Sequence, residues 1–421
     1  MQQKNFSLEA PGAGRHTKMN RLLFTGGTVL LPTGFRRMDA AVSGTVISAL
    51  APDIAPEEGD AVVDLHGDLL VPGFIDMHVH GGGGADFMDG TADAFLTACR
   101  VHARHGTTTL YPTALTAADE DMDAFFAALE TAEAARKAAG ASAGTRIGGV
   151  HVEGPWLAPA QAGAQDPKYL RTPSAEECEK LLARSDRIAV VTMAPELDGA
   201  CGCASLLAVR GILPAMGHSA ADLEQVRTAV DSGFRHMVHF YSAMSTVRRE
   251  NSYRIPGMVE AGYLFDAVTV EAIADGHHLP LSLLRLIHKV KGPERMVLVT
   301  DAMRGAGMPE GPSVLGSLKN GREVLVEGGV ARLPDRSGFA GSVCTMDRAV
   351  RTAVSAGIPL EDALRMASGT PSKILGTTGR RGAILPGMDA DLVRLDGNLN
   401  VIMTVVGGTI FDLNPQVRSL K

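Results

Sequence analysis

The feature that most constrains this chain is a repeated alternation. Short apolar runs at 74–77, 107–111, 147–152, 188–193, 212–216, 236–239, 268–274 and 296–300 are separated by stretches rich in helix formers. The clearest of these stretches is 117–139, Ala- and Glu-rich with Phe125, Phe126 and Leu129 at helical spacing. Eight strands with a helix between each pair predict an α/β fold, a (β/α)8 TIM barrel over 71–381. Such a barrel packs side chains in its interior and places its chemistry at the C-terminal strand ends.

Both ends of the chain read differently. Apolar runs at 22–25, 29–31, 41–42 and 46–49, and again at 383–386, 391–395 and 401–406, are punctuated by Gly, Pro and Asp. Two β-rich ends around a different middle predict a small β-sandwich domain built from 19–70 and 382–421. Residues 1–18 are polar with Gly and Pro and read as a flexible N-terminal extension, with Met19 an alternative start.

Composition removes several functional classes. A net charge of −7 gives no basic footprint for nucleic acid. No apolar run approaches the ~20 residues of a membrane helix, and no signal-peptide core opens the chain, so a cytoplasmic protein is expected. Cys99, Cys178, Cys201, Cys203 and Cys344 are an odd, scattered set that fits structural thiols better than a disulfide framework. The close pair Cys201 and Cys203 lacks the further partners a metal site needs.

Ligand-capable residues gather at one end of the predicted strands. His78 and His80 follow the first run, Glu153 the third and His218 the fifth. His239 ends the sixth, Asp275 and His278 follow the seventh, and Asp301 follows the eighth. In "FIDMHVHGGGG", extended backbone points His78 and His80 to the same side, so both rings can face one ion. Imidazole and carboxylate suit Zn, Fe, Co or Mn, and a catalytic site leaves a position open for water. Singly, Glu153 could be a barrel salt-bridge acid and His218 or His239 a core histidine; His236 reads as structural. Asp301 in "VLVTDAM" is an acid placed to take a proton from water and return it to a leaving amine. In "IADGHHL", Asp275 and one of His277 and His278 are placed to contact substrate.

These motifs resemble the amidohydrolase superfamily, and within it the N-acetylglucosamine-6-phosphate deacetylases. The resemblance runs from about Gly26 to Gly408. It is carried by "PGFIDMHVHGGGGADFMD", "HVEGPW", "VTMAPE", "GHSAA", "HFYSAM", "IADGHH", "LVTDA", "GSVCTMDRAV" and "LPGMDADLV". It implies that Glu153, His218 and His239 bind a main ion, that His78 and His80 bind a second with Glu153 bridging, and that Asp301 is the general acid/base and touches the second ion. It also implies that His278, rather than His277, contacts substrate.

Three positions depart from the family pattern. Gln165 in "QAGAQDP" stands where a His usually helps polarise the acetyl carbonyl; it keeps a donor amide but cannot carry charge. Ser242 in "YSAM" replaces an Asn and reaches less far toward a phosphate. The family's Arg-Glu-Pro-Gly loop, whose Arg grips phosphate from a neighbouring subunit, becomes "STVRRENSYRIPG", where Arg248, Arg249 and Arg254 are anion candidates and Arg249 is the leading one.

The expected enzyme is therefore a metal-dependent deacetylase with one or two divalent transition-metal ions per subunit. It would act on an N-acetylated amino sugar, N-acetylglucosamine 6-phosphate first, giving acetate and the amino sugar phosphate. A homodimer is expected through the family alone. The alternatives are an amidohydrolase acting on another N-acylated sugar, an N-acyl amino acid or a cyclic amide, and a catalytically silent barrel. The silent barrel is disfavoured because every ligand position is filled.

Overall fold

Eight parallel strands form the central barrel of the computed structural model, which describes residues 21–411. The expected extension at 1–18 and the start at Met19 lie outside the described residues, as does 412–421 of the C-terminal segment. In order the strands are Phe74–Val79, Thr107–Ala114, Val150–Glu153, Ile188–Met193, Leu213–Met216, His236–Met237, Thr269–Ile273 and Met296–Val299. Each pairs in parallel with the next. The ring closes between first and eighth through a parallel bridge from Val79 to Ala302. There the Asp301 amide donates to the His78 carbonyl at 2.9 Å, and the His80 and Gly81 amides to the Ala302 carbonyl at 2.8 and 2.9 Å.

Helices fill the crossovers, as right-handed βα units require. Ala92–Arg104 is typical: Thr91 caps its start by accepting from the Ala94 amide. Phe95, Leu96, Cys99 and His102 form its buried face. The predicted helix at 117–139 begins two residues later, as Asp119–Ala139, with three acids in its first turn where the helix dipole favours them.

Several strand boundaries differ from expectation, each for a local reason. The run 147–152 is broken at Gly148 and Gly149, leaving Arg146–Ile147 and Val150–Glu153 as separate pieces. At Gly148 a Cβ would lie 2.6 Å from the Tyr111 ring, so only glycine lets the strand pass. The sixth strand stops at Met237, because His239 has a positive φ of 29° and leaves the ladder. The first continues to Val79, so His78 lies within it.

Both chain ends build the satellite. Four strands order as Val46–Ala51, Asp39–Ser43, Leu22–Thr25 and Ala61–Asp64. Six order as Thr409–Phe411, Val401–Val406, Leu392–Leu395, Leu69–Pro72, Thr28–Leu31 and Gly34–Arg37. The two termini meet directly, Leu69–Pro72 antiparallel to Leu392–Leu395. Between the sheets lies a core including Phe24, Val29, Ile47, Leu70, Leu392 and Val405. The run at 383–386 is not a strand; it turns through Pro386-Gly387, and Ile384 joins that core through packing alone.

One unit was not anticipated. After the eighth barrel strand, Gly311–Leu315, Arg322–Glu327, Val330–Arg332 and Phe339–Ser342 form an antiparallel four-stranded sheet. It packs Leu315, Val324, Val326 and Ala340 around Met303, beside the C-terminal ends of the barrel strands. Among the described residues no helix is long and apolar enough to cross a membrane.

Candidate metal centre and active site

Strand ends bring the predicted ligands together around one carboxylate. Glu153 is the last residue of the third strand, and Gly154 follows with a φ of +88°. A Cβ at Gly154 would lie 2.1 Å from the Thr116 hydroxyl, so the close turn that aims Glu153 inward needs glycine. Glu153 Oε1 lies 2.9 Å from His239 Nε2, 3.2 Å from His218 Nε2 and 3.5 Å from His78 Nε2. Its Oε2 lies 3.5 Å from His80 Nε2. Asp301 Oδ1 stands 3.1 Å from His80 Nε2 and 3.8 Å from His78 Nε2. All six residues are buried.

His218, His239 and Asp301 have φ values of 49°, 29° and 47°. Left-handed backbone in a non-glycine residue costs on the order of 1–3 kcal/mol. Three such residues at consecutive points of one site are sustained by the surrounding barrel, and they turn side chains from strand ends toward the axis.

Three of the imidazoles are oriented as metal ligands would be. His78 Nδ1 meets Glu271 Oε2 at 2.8 Å, His80 Nδ1 the Thr113 carbonyl at 3.2 Å, and His218 Nδ1 the Gln161 carbonyl at 2.9 Å. Each of these contacts assigns the proton to Nδ1 and leaves an Nε2 lone pair facing the centre, as histidine ligands require. His78 Nε2 is buried with no hydrogen-bond partner, and His218 Nε2 and His239 Nε2 face each other at 3.1 Å.

Electrostatics agree. Burial opposes a charged His78 ring, yet Glu271, Glu153 and Asp301 together hold its pKa well above the ordinary histidine value. His80 is raised against the same burial, chiefly by Asp301. Burial pushes the Glu153 and Asp301 carboxyls up, but the surrounding histidines hold both below the ordinary carboxylate range. Glu271, Glu153 and Asp301 concentrate negative charge at one buried point, which a bound cation would neutralise in place of the ring protons. Of three groups of side chains close enough to hold an ion, two share Glu153, one with His218 and His239 and one with His78 and His80; the third joins His78, His151 and Glu271. The donor chemistry, imidazole and carboxylate, suits a divalent transition metal.

Glu271 was missed in the sequence. Fully buried in the seventh strand, it contacts His78 Nδ1 at 2.8 Å and His236 Nε2 at 3.1 Å, and accepts from the His239 amide at 3.0 Å. An acid inside the apolar run "VTVEAI" was the available signal, since a buried Glu needs partners. His236 is structural, as read, and its work is to hold Glu271.

The substrate-side residues separate. A cleft of about 400 Å³ is lined by His80, Glu153, His218, His239 and Asp301, together with Gln165, Ser242 and His278. That volume lies in the range of small-ligand sites, ~300–1,000 Å³. His278 Nδ1 is held by Asp275 Oδ2 at 2.8 Å, so Asp275 orients that ring and does not itself line the cleft. His277 is exposed. Gln165 is committed on both sides, donating to Glu153 Oε2 at 2.7 Å and accepting from the Thr116 amide at 3.0 Å. Arg249 is not brought to this cleft; with Arg248 and Arg254 it lies on an exposed hairpin, Arg248–Glu250 against Tyr253–Ile255.

Known proteins resemble this chain along most of its length. The amidohydrolase family profile matches residues 69–411. The chain is 36% identical over 372 residues to N-acetylgalactosamine-6-phosphate deacetylase of Escherichia coli O157:H7, covering 88% of this chain and 93% of that one. It is 36% identical to N-acetylglucosamine-6-phosphate deacetylase of Vibrio furnissii, covering 82% and 83%. A solved variant of N-acetyl-D-glucosamine-6-phosphate deacetylase from Mycobacterium smegmatis, in complex with N-acetyl-D-glucosamine-6-phosphate, superposes with a TM-score of 0.83 at 34% identity, over 93% of this chain and 99% of that one. With a barrel, a family match over residues 69–411 and relatives that cover most of both chains, the chain belongs to the amidohydrolase family.

Proposed function

We propose that this protein hydrolyses the N-acetyl amide of an amino sugar, N-acetylglucosamine 6-phosphate foremost, to acetate and the amino sugar phosphate. The observation that carries this reading is the convergence of two ligand sets on Glu153, with Asp301 beside them in a cleft of about 400 Å³. Relatives with both the glucosamine and the galactosamine name support the substrate class and leave its epimer to experiment.

In this reading Glu153, His218 and His239 would hold one ion, and His78, His80 and Asp301, together with Glu153, would hold a second. When bound, a divalent ion (Zn, Fe, Co or Mn) polarises the acetyl carbonyl and lowers the pKa of water to about 7. The chain's own residues handle the proton. Asp301, buried and held ionised, accepts it from the water that attacks the carbonyl carbon, then delivers it to the nitrogen as the C–N bond breaks. His278, its ring fixed through Nδ1 by Asp275, presents its other nitrogen to the sugar. Gln165 acts on Glu153, holding the carboxylate that both ligand sets share.

The test is acetate release by metal-analysed protein from N-acetylated hexosamines with and without the 6-phosphate. One observation favours a second reading. Among the described residues lining the cleft none is Lys or Arg, which suits an unphosphorylated N-acyl amino sugar. In the leading reading the missing cation comes from Arg248, Arg249 or Arg254 of a second copy in a homodimer. Activity confined to unphosphorylated substrates, with metal bound, eliminates the phosphate.

A further inference from the structure

The cleft has two unlike sides. Its floor is the polar cluster of ligands, whereas Leu115, Leu315 and Phe339 give it an apolar wall. Leu315 and Phe339 belong to the four-stranded sheet that follows the barrel.

Phe339 is not explained by packing. It remains 38% exposed, whereas phenylalanines of the barrel core such as Phe74, Phe95 and Phe234 are fully buried. Its ring is held from its surroundings by two contacts. The His278 ring lies at a centroid distance of 4.6 Å, and the Arg332 guanidinium carbon is 5.6 Å from the Phe339 centroid. Arg332 Nε is itself buried without a hydrogen-bond partner, so the aromatic ring is the contact described for that guanidinium. A cation over an aromatic face is worth about 0.5–1 kcal/mol at exposed sites, enough to bias a ring orientation. An apolar ring fixed at the mouth of a wet cleft, beside the histidine that faces substrate, has the form of a platform.

We propose that Phe339 is a specificity-determining residue that stacks on the C–H face of the sugar ring, so that the cleft selects a pyranose over an open-chain N-acetyl compound. The inference rests on the amino-sugar reading above. Its chemistry follows from the ring's quadrupole: an aromatic face is negative, and one face of a pyranose presents weakly positive axial C–H groups while its hydroxyls point to the rim. His278 then meets the polar edge of the same sugar, being packed against the platform itself. An acyclic substrate has no such face and gains nothing from the wall.

Steady-state kinetics of wild type, Phe339→Ala and Phe339→Tyr test this, with bound metal and melting temperature measured for each. The substrates are N-acetylglucosamine 6-phosphate and phosphorylated N-acetylethanolamine. Phe339→Ala should raise the sugar KM about tenfold with kcat nearly unchanged, the signature of lost uniform binding. Phe339→Tyr should stay near wild type, and wild type should disfavour the open-chain compound. A sugar KM unmoved by Phe339→Ala overturns the proposal while the amino-sugar reading stands. Equal efficiency of wild type on both compounds also overturns it. Metal-loaded wild type inactive on N-acetylated glucosamine and galactosamine alike, with and without the 6-phosphate, overturns both together.

Discussion

Two levels of the same barrel solve the burial problem in opposite ways. At the waist Ile75, Met77, Tyr111, Val190, Ala215, Val238, Ile273, Val297 and Val299 form one apolar cluster, satisfied by contact alone. A few residues further along the same strands, the mouth buries four histidines, Glu153 and Asp301, which satisfy one another only in part, with Glu271 reaching His78 from below. His78 Nε2 and His239 Nδ1 lack hydrogen-bond partners, and His218, His239 and Asp301 accept left-handed backbone. The waist is satisfied by packing; the mouth gathers donors that could hold a cation, on strained backbone. What separates them is one or two residues of strand.

That contrast is sharpest when the ion is removed. Dialysis against a chelator should abolish acetate release and lower the melting temperature, both restored by Zn, Co, Mn or Fe, because the ion binds the folded state and not the unfolded chain. Retained activity in metal-free protein would break the contrast. Asp301→Asn should lower kcat by roughly 10²–10⁴-fold, the usual worth of a general acid/base, while the protein stays folded. Since Asp301 also faces the second ion, metal content should be measured alongside; an unchanged rate refutes its role. Glu271→Gln removes the carboxylate behind His78 and His239 and should weaken metal affinity about 10–100-fold, read by competitive chelation.

A waist substitution should do the reverse. Ile273→Ala creates a cavity and should cost about 2–5 kcal/mol in denaturant unfolding, with metal content kept. The smallest effect is predicted at the start of the helix Met346–Ser355. Burial pushes the Asp347 carboxyl up, but His105, Thr345 and Arg351 outweigh it and bring the pKa from 3.8 to about 2. Because the folded value lies below the unfolded one, this contribution is present above about pH 4 and is lost as pH falls toward 2. Asp347→Asn should therefore destabilise at neutral pH by on the order of 2 kcal/mol and flatten the acid limb of the stability curve.

The strands were legible because their apolar runs are buried on both faces, and the ligands because barrel chemistry gathers at C-terminal strand ends. What stayed hidden needed three dimensions. Glu271 reads as one acid in a strand until His78 and His239, far apart in sequence, meet it. The residue 148–149 break depends on the Tyr111 ring from the neighbouring strand. The four-stranded sheet at 311–342 has short, mixed-polarity strands whose hydrophobic face appears only against Met303. Gln165 lines the cleft, but the contacts with the Thr116 amide and Glu153 that fix its carboxamide are encoded in no motif.

The barrel seam carries a consequence for how the protein breathes. The bonds that join its first and eighth strands run through His78, His80 and Asp301, residues whose side chains face the cation positions. A bound ion would therefore act as a clasp on the ring of strands, and its removal should free the seam first. Amide hydrogen exchange at His80, Gly81 and Asp301 should accelerate first in metal-free protein, while the apolar waist keeps its protection.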